Sequence, residues 1–161
     1  MPTNPCRAAI EAFAAADPAQ LRALPATCTL ADVTAVLTAV PGTSNGQLGS
    51  SRTRGVAVHY FSSPRLPDIH AWIDETQRVV LLDADLPPGD ASAYTAALGA
   101  PEAQLDYPYA GAVLPQAEHV WPHKGAVVVV GAQLIRIGVF APTTLADYQA
   151  TLRRIEVSTD D

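Results

Sequence analysis

The sequence has very little positive charge. Lys124 is its only lysine and nine arginines are scattered along 161 residues, so the formal net charge is −6 and the isoelectric point is near 5.0. Proteins that bind nucleic acid draw their affinity from clustered lysine and arginine. This composition therefore excludes a nucleic-acid backbone as the expected partner, whereas an acidic surface suits solubility and steering toward a basic protein.

Long apolar runs are also absent. No stretch approaches the roughly 20 apolar residues that cross a bilayer, and the longest runs, GAVVVVGA and VVLL, have the length of buried strands. Residues 1–24 lack the basic leader and the long apolar core of a signal peptide. We therefore expect no export signal and no membrane association.

Cysteine is scarce, since Cys6 and Cys28 are the only two. Two thiols in a chain of this size do not form a disulfide framework. On compartment grounds we expect two reduced, buried thiols in a cytoplasmic protein. The alternative is a disulfide, if both residues lie on helices that touch.

Charged residues are few as well, at 16% of the chain against 48% hydrophobic residues. This balance argues against disorder. The length allows one domain to bury most of its apolar surface. We therefore expect residues 1–161 to form a single compact domain.

One nine-residue phrase occurs twice: TLADVTAVL begins at Thr29 and TLADYQATL begins at Thr144. In both, the threonine suits a helix N-cap, and the aspartate three residues later suits the positive end of the helix dipole. The phrase DASAYTAAL, from Asp90, has the same shape. We predict helices that begin at these three residues, the first one reaching Val40 before a VPG stop signal.

The blocks between these helix starts have the pattern of strands. In LIRIGVF, Ile135, Ile137 and Val139 share one face, while Arg136 and Gly138 share the solvent face, as in a half-buried strand. Strands are predicted at GVAVHYF, IHAWID, RVVLLDADL, EHVW, GAVVVVG and LIRIGVF, and GTSNGQLGSSRTRG is predicted to be a mobile loop with a short strand at QLGSS.

The predicted fold class is α+β, with two tandem helix-then-antiparallel-sheet units of three to four strands each. The internal repeats cover about 27–88 and 89–142. An extra amino-terminal helix lies within Pro5–Leu24 and breaks near Asp17, and a closing carboxy-terminal helix covers 144–155.

The segment LPATCTLADVTAVLTAVPG, from Leu24 to Gly42, places a short helix that opens on threonine and ends at glycine after another helix and before a sheet. This layout resembles the tandem units of β-lactamase inhibitor proteins and of related single-unit bacterial lipoproteins. The resemblance implies an α+β protein that occupies a partner protein instead of catalysing a reaction.

A pattern of histidine, any residue and then an aromatic residue occurs three times. Positions i and i+2 of a strand point the same way, so each pattern sets an imidazole beside an aromatic ring. In IHAWID the opposite positions are apolar, which predicts an outward or groove-facing aromatic surface for a partner. Ordinary cross-strand packing is the alternative. The predicted partner-binding residues are His59, Phe61, His70, Trp72, His119 and Trp121.

Other chemistry has weaker support. His119 and His123 are four residues apart, but Pro122 forbids the helix that such metal-ligand spacing uses, so no metal is expected. We interpret Asp83 and Asp85 as the solvent side of a strand. We interpret Asp90 as a helix cap, and Cys28 as a small buried residue and not a nucleophile. The sequence has no phosphate-binding loop and no nucleophile elbow, and no cofactor is expected.

These patterns favour a non-enzymatic protein-binding module of immunity or inhibitor type, with no assigned catalytic residue. The alternative is a small enzyme or small-molecule binder with a pocket between sheet and helices. Its acid or base would be His70, His119 or Asp74, near Trp72 and Trp121. A third hypothesis is a homodimer in which the sheet face pairs with itself.

Overall fold

The computed structural model describes residues 4–49, 55–86, 91–106, 117–131 and 135–154. Its α-helices are α1 (Pro5–Ala14), α2 (Leu30–Val36), α3 (Ala91–Leu98) and α4 (Leu145–Asp147), and α4 continues as a π-helical turn at Tyr148–Leu152. Its strands are β1 (Thr38–Gln47), β2 (Gly55–Ser62), β3 (Ile69–Ile73), β4 (Val79–Leu86), β5 (Ala103–Asp106), β6 (Ala117–Trp121), β7 (Ala126–Val130) and β8 (Ile135–Val139). Short 3-10 turns lie at Pro18–Gln20 and Pro122–Lys124.

All eight strands form one antiparallel sheet in the order β1-β2-β3-β4-β8-β7-β6-β5. The prediction of two helix-then-sheet units is therefore wrong. The physical reason is the pairing of β4 with β8, from Leu82↔Val139 to Leu86↔Ile135, which makes the sheet continuous across the expected boundary. Neither strand becomes an edge, because each satisfies the backbone groups of the other.

Successive side chains of each strand point to opposite faces of the sheet, and apolar residues occupy both faces. The helix face packs against α1, α2 and α3 through residues such as Ile10, Val33 and Tyr94. The opposite face, here called the C-terminal face, packs against Phe140 and Tyr148. Among the described residues, coverage of both faces leaves little aromatic surface in contact with water.

Helix capping follows the sequence signals. The amide of Thr29 donates to the Asp32 carboxylate at 3.0 Å, and the hydroxyl of Thr144 accepts from the amide of Asp147 at 3.1 Å. Both predicted helix starts are confirmed, whereas Asp90 lies outside the described residues. The closing helix is shorter than predicted, because helical backbone ends at Leu152.

Cys6 and Cys28 form a disulfide with a Cα–Cα distance of 5.3 Å, so the expectation of two reduced thiols is wrong. Cys6 lies in the first turn of α1, and Cys28 lies two residues before α2. Both side chains are buried where α1 packs beside α2, which brings the two sulfur atoms together. The bond ties α1 to the start of α2.

Strand β1 differs most from the structure predicted from the sequence. The sequence predicted a helix to Val40 followed by a mobile loop, but α2 ends at Val36 and strand β1 begins at Thr38. Pro41 and Gly42, which looked like a helix stop, lie at a bulge between Val40 and Thr43, and Gly42 has a φ of +109°. Pairing with β2 overrides the loop-like composition of this segment.

None of the described helices has the length and apolar character required to span a membrane. The longest, α1, has 10 residues, whereas a span needs about 20.

Candidate functional site

The six predicted partner-binding residues do not form one surface. His59 and Phe61 lie on the helix face, where they pair with Ala71 and Ile69 of β3. His70 and Trp72 of β3 lie on the C-terminal face. His119 and Trp121 lie on the helix face, but on β6, four strands away from β3.

The expected exposure of this aromatic surface is wrong. Phe61, Trp72 and Trp121 are exposed at only 3%, 6% and 0% of their surfaces. Because the sheet is covered on both faces, the aromatic rings of the pattern pack in the interior, whereas its histidines are partly exposed. The ring of Trp121 is held there by its indole N–H, which donates to the carbonyl of Ala100 at 3.1 Å.

The three alternative catalytic residues do not form one site. His70 and His119 lie on opposite faces, with β4, β8 and β7 between their strands. Four strand spacings amount to about 19 Å. Asp74 instead closes a turn, since its carboxylate accepts from the hydroxyl of Thr76 at 2.7 Å and from the amide of Arg78 at 3.0 Å.

A surface hollow of about 610 Å³ lies beside α2 and the turn at Gln77. Its walls are formed by Thr29, Leu30, Ala31, Thr34, Ala35 and Gln77, and none of these is a predicted catalytic residue.

In the part of the chain that the structure describes, no three His, Cys, Asp or Glu side chains are grouped to hold a metal ion. His123, one of the two weighed as ligands, instead hydrogen-bonds to the carboxylate of Glu102.

Asp83 is the centre of a buried polar cluster on the C-terminal face. Its carboxylate accepts from the indole N–H of Trp72 at 3.3 Å and from the Arg154 guanidinium at 3.1 Å, and it lies 3.1 Å from Nδ1 of His70. Asp83 is 1% exposed, so the prediction of a solvent-facing carboxylate is wrong. Asp85 is partly exposed and accepts from Nε of Arg136 at 3.2 Å.

The environment of Asp83 favours its charged form. Burial alone raises the pKa of this carboxyl group, but the hydrogen bond with His70 and the positive charges of Arg154 and Arg136 outweigh burial. The net pKa of Asp83 therefore lies below its ordinary value. A buried carboxylate with these partners holds neighbouring side chains in fixed positions.

A second buried acid, Glu118, lies on the same face. Its carboxylate accepts from Nε of Arg153 at 2.7 Å and from the hydroxyl of Tyr148. Glu118, Arg153 and Arg154 were not predicted from the sequence, and the prediction that Arg136 faces solvent is wrong, because its side chain is buried. The sequence did contain a signal for this cluster, because Asp83, Glu118 and Arg136 are charged residues within the largely apolar strands β4, β6 and β8. Such residues indicate a buried polar layer when both faces of the sheet are covered.

Among the described strands, β1 is the edge of the sheet on this side, and the bridge between Leu48 and Arg154 lies just beyond its end. Along Thr38–Gln47 every residue is exposed except Gly46, which is partly exposed. The segment contains no charged residue. Among the described residues, Val40 is the large hydrophobic side chain that is exposed, at 40%.

Most sheet edges carry features that block the addition of another strand. The first half of β1 has Pro41 and the bulge, but Thr43–Gln47 is regular and pairs residue by residue with β2. The opposite edge, β5, has only four residues and ends at Asp106. The second half of β1 is therefore the edge with the least protection.

The buried cluster supports this part of β1. A Cβ atom placed on Gly46 would lie 2.4 Å from the ring of Trp72, so only glycine allows the strand to approach the ring this closely. Trp72 is fixed by Asp83 and by the guanidinium of Arg154, 5.1 Å from the ring centroid. The hydroxyls of Ser44 and Tyr60, 2.7 Å apart, fix the strand a second time.

The geometry thus presents an uncharged strand edge that packs on a buried polar support. Comparison of the chain with models of protein families, with curated proteins and with solved structures found no match. The resemblance to β-lactamase inhibitor proteins stays a prediction.

Proposed function

We propose that this chain is a non-enzymatic protein-binding module, of the immunity or inhibitor type, that takes an extended polypeptide segment as an added strand along β1. The observation that carries the proposal is the exposed, uncharged and regular edge at Thr43–Gln47. The aromatic surface expected from the sequence has no part in it, because those rings are buried.

Strand addition uses groups that the edge already provides. Backbone N–H and C=O groups of a strand point alternately to its two sides, and β1 is paired on one side with β2. Among the described strands, none pairs with the other side of Thr43–Gln47. An incoming strand could bond to that side, with its main-chain hydrogen bonds supplying affinity and its alternate side chains supplying specificity. The fixed position of Gly46 on Trp72 lowers the entropy cost of binding.

The disulfide supports an oxidising compartment for this function. Structural disulfides persist in secreted and periplasmic proteins and are rare in the cytosol. The cytoplasmic location expected from the sequence is therefore replaced in this proposal by an oxidising one. Oxidised Cys6 and Cys28 in protein isolated from its natural source would support it.

Charge on the edge tests the proposal. In the variant Thr43→Lys/Asn45→Lys, two exposed positions on one side of β1 acquire the lysines that sheets use to block strand addition. We expect capture of the natural partner from a lysate of the source organism, read by quantitative mass spectrometry, to fall about tenfold or more. The matched control is Ala96→Lys/Ala97→Lys, which adds the same charge to exposed positions of α3.

Retention of the partner by the edge variant would overturn the proposal, as would equal loss in the α3 control. Circular dichroism and thermal melts of both variants exclude unfolding as the cause, since lysine at exposed positions changes stability little.

A second candidate function rests on the contact between His70 and Asp83. A carboxylate on Nδ1 of a histidine orients the ring and leaves Nε2 to act as a general base. If the chain is an enzyme of this kind, it should turn over activated ester, phosphate-ester or glycoside substrates, and the rate should fall about a hundredfold or more in His70→Gln. If the wild type and the variant both show only the uncatalysed background rate, this hypothesis is wrong.

A further inference from the structure

We propose that the strand added to β1 is β1 of a second copy of this chain, paired antiparallel across a two-fold axis. This inference rests on the proposed function, because it names the partner of the same edge. A partner of another sequence would then compete with the second copy for the Thr43–Gln47 edge.

Charge is the first argument for a second copy. The chain carries a formal net charge of −6, so two copies repel each other over most of their surfaces. Directly opposed like charges destabilise a strand pair. Thr38–Gln47 has no charged side chain, and two copies that meet here place no like charges of β1 opposite each other.

The shape of the edge is the second argument. Pro41 and the bulge after Val40 stop regular pairing at one end, which leaves Thr43–Gln47 as the paired segment. Five residues match a typical strand length. Antiparallel pairing of this segment with itself aligns both copies over the same five residues, with each bulge beyond the end of the pairing.

Closure is the third argument. A pairing of β1 with β5 of the next copy would be heterologous and would continue into an open filament. β5 is a poor partner because it has four residues, follows Glu102 and ends at Asp106. Pairing of β1 with β1 uses the exposed edge of each copy once and closes as a dimer with a continuous sheet.

The experiment measures solution mass by analytical ultracentrifugation. We expect the wild-type chain at roughly 100 μM to sediment at twice its mass of 16.9 kDa. Thr43→Lys/Asn45→Lys and Thr43→Glu/Asn45→Glu each place like charges opposite one another in the pair, so each alone is expected to be monomeric. An equal mixture of the two is expected to restore the dimer, because opposite charges then face each other. The α3 control, Ala96→Lys/Ala97→Lys, stays dimeric.

A monomeric wild type at this concentration would overturn the second-copy proposal. A dimer that persists in both charged variants, or a mixture that fails to restore it, would overturn it too, because the interface would then lie elsewhere. The proposed function is judged separately: if the wild type is monomeric but only the edge variant loses its captured partner, β1 binds another protein.

Discussion

Asp83→Asn is expected to lower the free energy of unfolding by about 3 kcal/mol, because it removes the negative charge that the Arg154 guanidinium contacts on the covered face. This is the lower end of the usual cost, since Arg154 keeps some contact with water. Asn is close to Asp in shape, so the loss reports the charge and its hydrogen bonds and not a cavity. Urea denaturation followed by circular dichroism measures it. The matched control, Asp68→Asn at an exposed position, changes stability by less than about 0.5 kcal/mol.

The effect of Asp83→Asn depends on pH in a defined direction. The folded-state pKa of Asp83 lies below the unfolded value of about 3.9. Its stabilising contribution is therefore present above about pH 4 and is lost as the pH falls through the lower folded-state pKa. The difference in unfolding free energy between wild type and variant should be largest near neutral pH and shrink in acid. A difference that grew in acid would contradict the assigned ion pair.

Removal of the disulfide is expected to lower the free energy of unfolding by about 3 kcal/mol. The bond closes a loop with a sequence separation of 22, and such a cross-link limits the entropy of the unfolded chain by about this amount. Urea denaturation of the wild type with and without dithiothreitol measures the effect. Cys6→Ala/Cys28→Ala should unfold at the same urea concentration as the reduced wild type and should not respond to dithiothreitol. An identical midpoint for oxidised and reduced wild type would contradict the bond's role.

Local features of the fold could be predicted from the sequence because their causes are local. Alternation and β-branched residues predicted β2, β3, β7 and β8, and threonine capping predicted the starts at Thr29 and Thr144. The pairing of β4 with β8 joins residues far apart in sequence, and nothing local indicates it. That contact turned two expected units into one sheet and covered both of its faces.

The same long-range pairing explains why the candidate site was misplaced. Trp72 was assigned to an exposed face because Ile69, Ala71 and Ile73 already formed an apolar one, but the other face is covered as well. The open edge escaped prediction because β1 contains proline, glycine and small polar residues that are typical of loops. Its strand character depends on pairing with β2, and its position depends on the close approach of Gly46 to Trp72.

The use of the Thr43–Gln47 edge as a binding surface is tested most directly by hydrogen–deuterium exchange of β1. In a free edge, the amides bonded to β2 are protected, while those that point outward exchange rapidly. Addition of the captured partner, or a rise in concentration of the chain itself, is predicted to slow exchange of the outward amides of Thr43–Gln47. The amides of Ala103–Asp106 at the opposite edge should keep their rates. Unchanged rates along Thr43–Gln47 under conditions where a complex or dimer is present would contradict strand addition at β1.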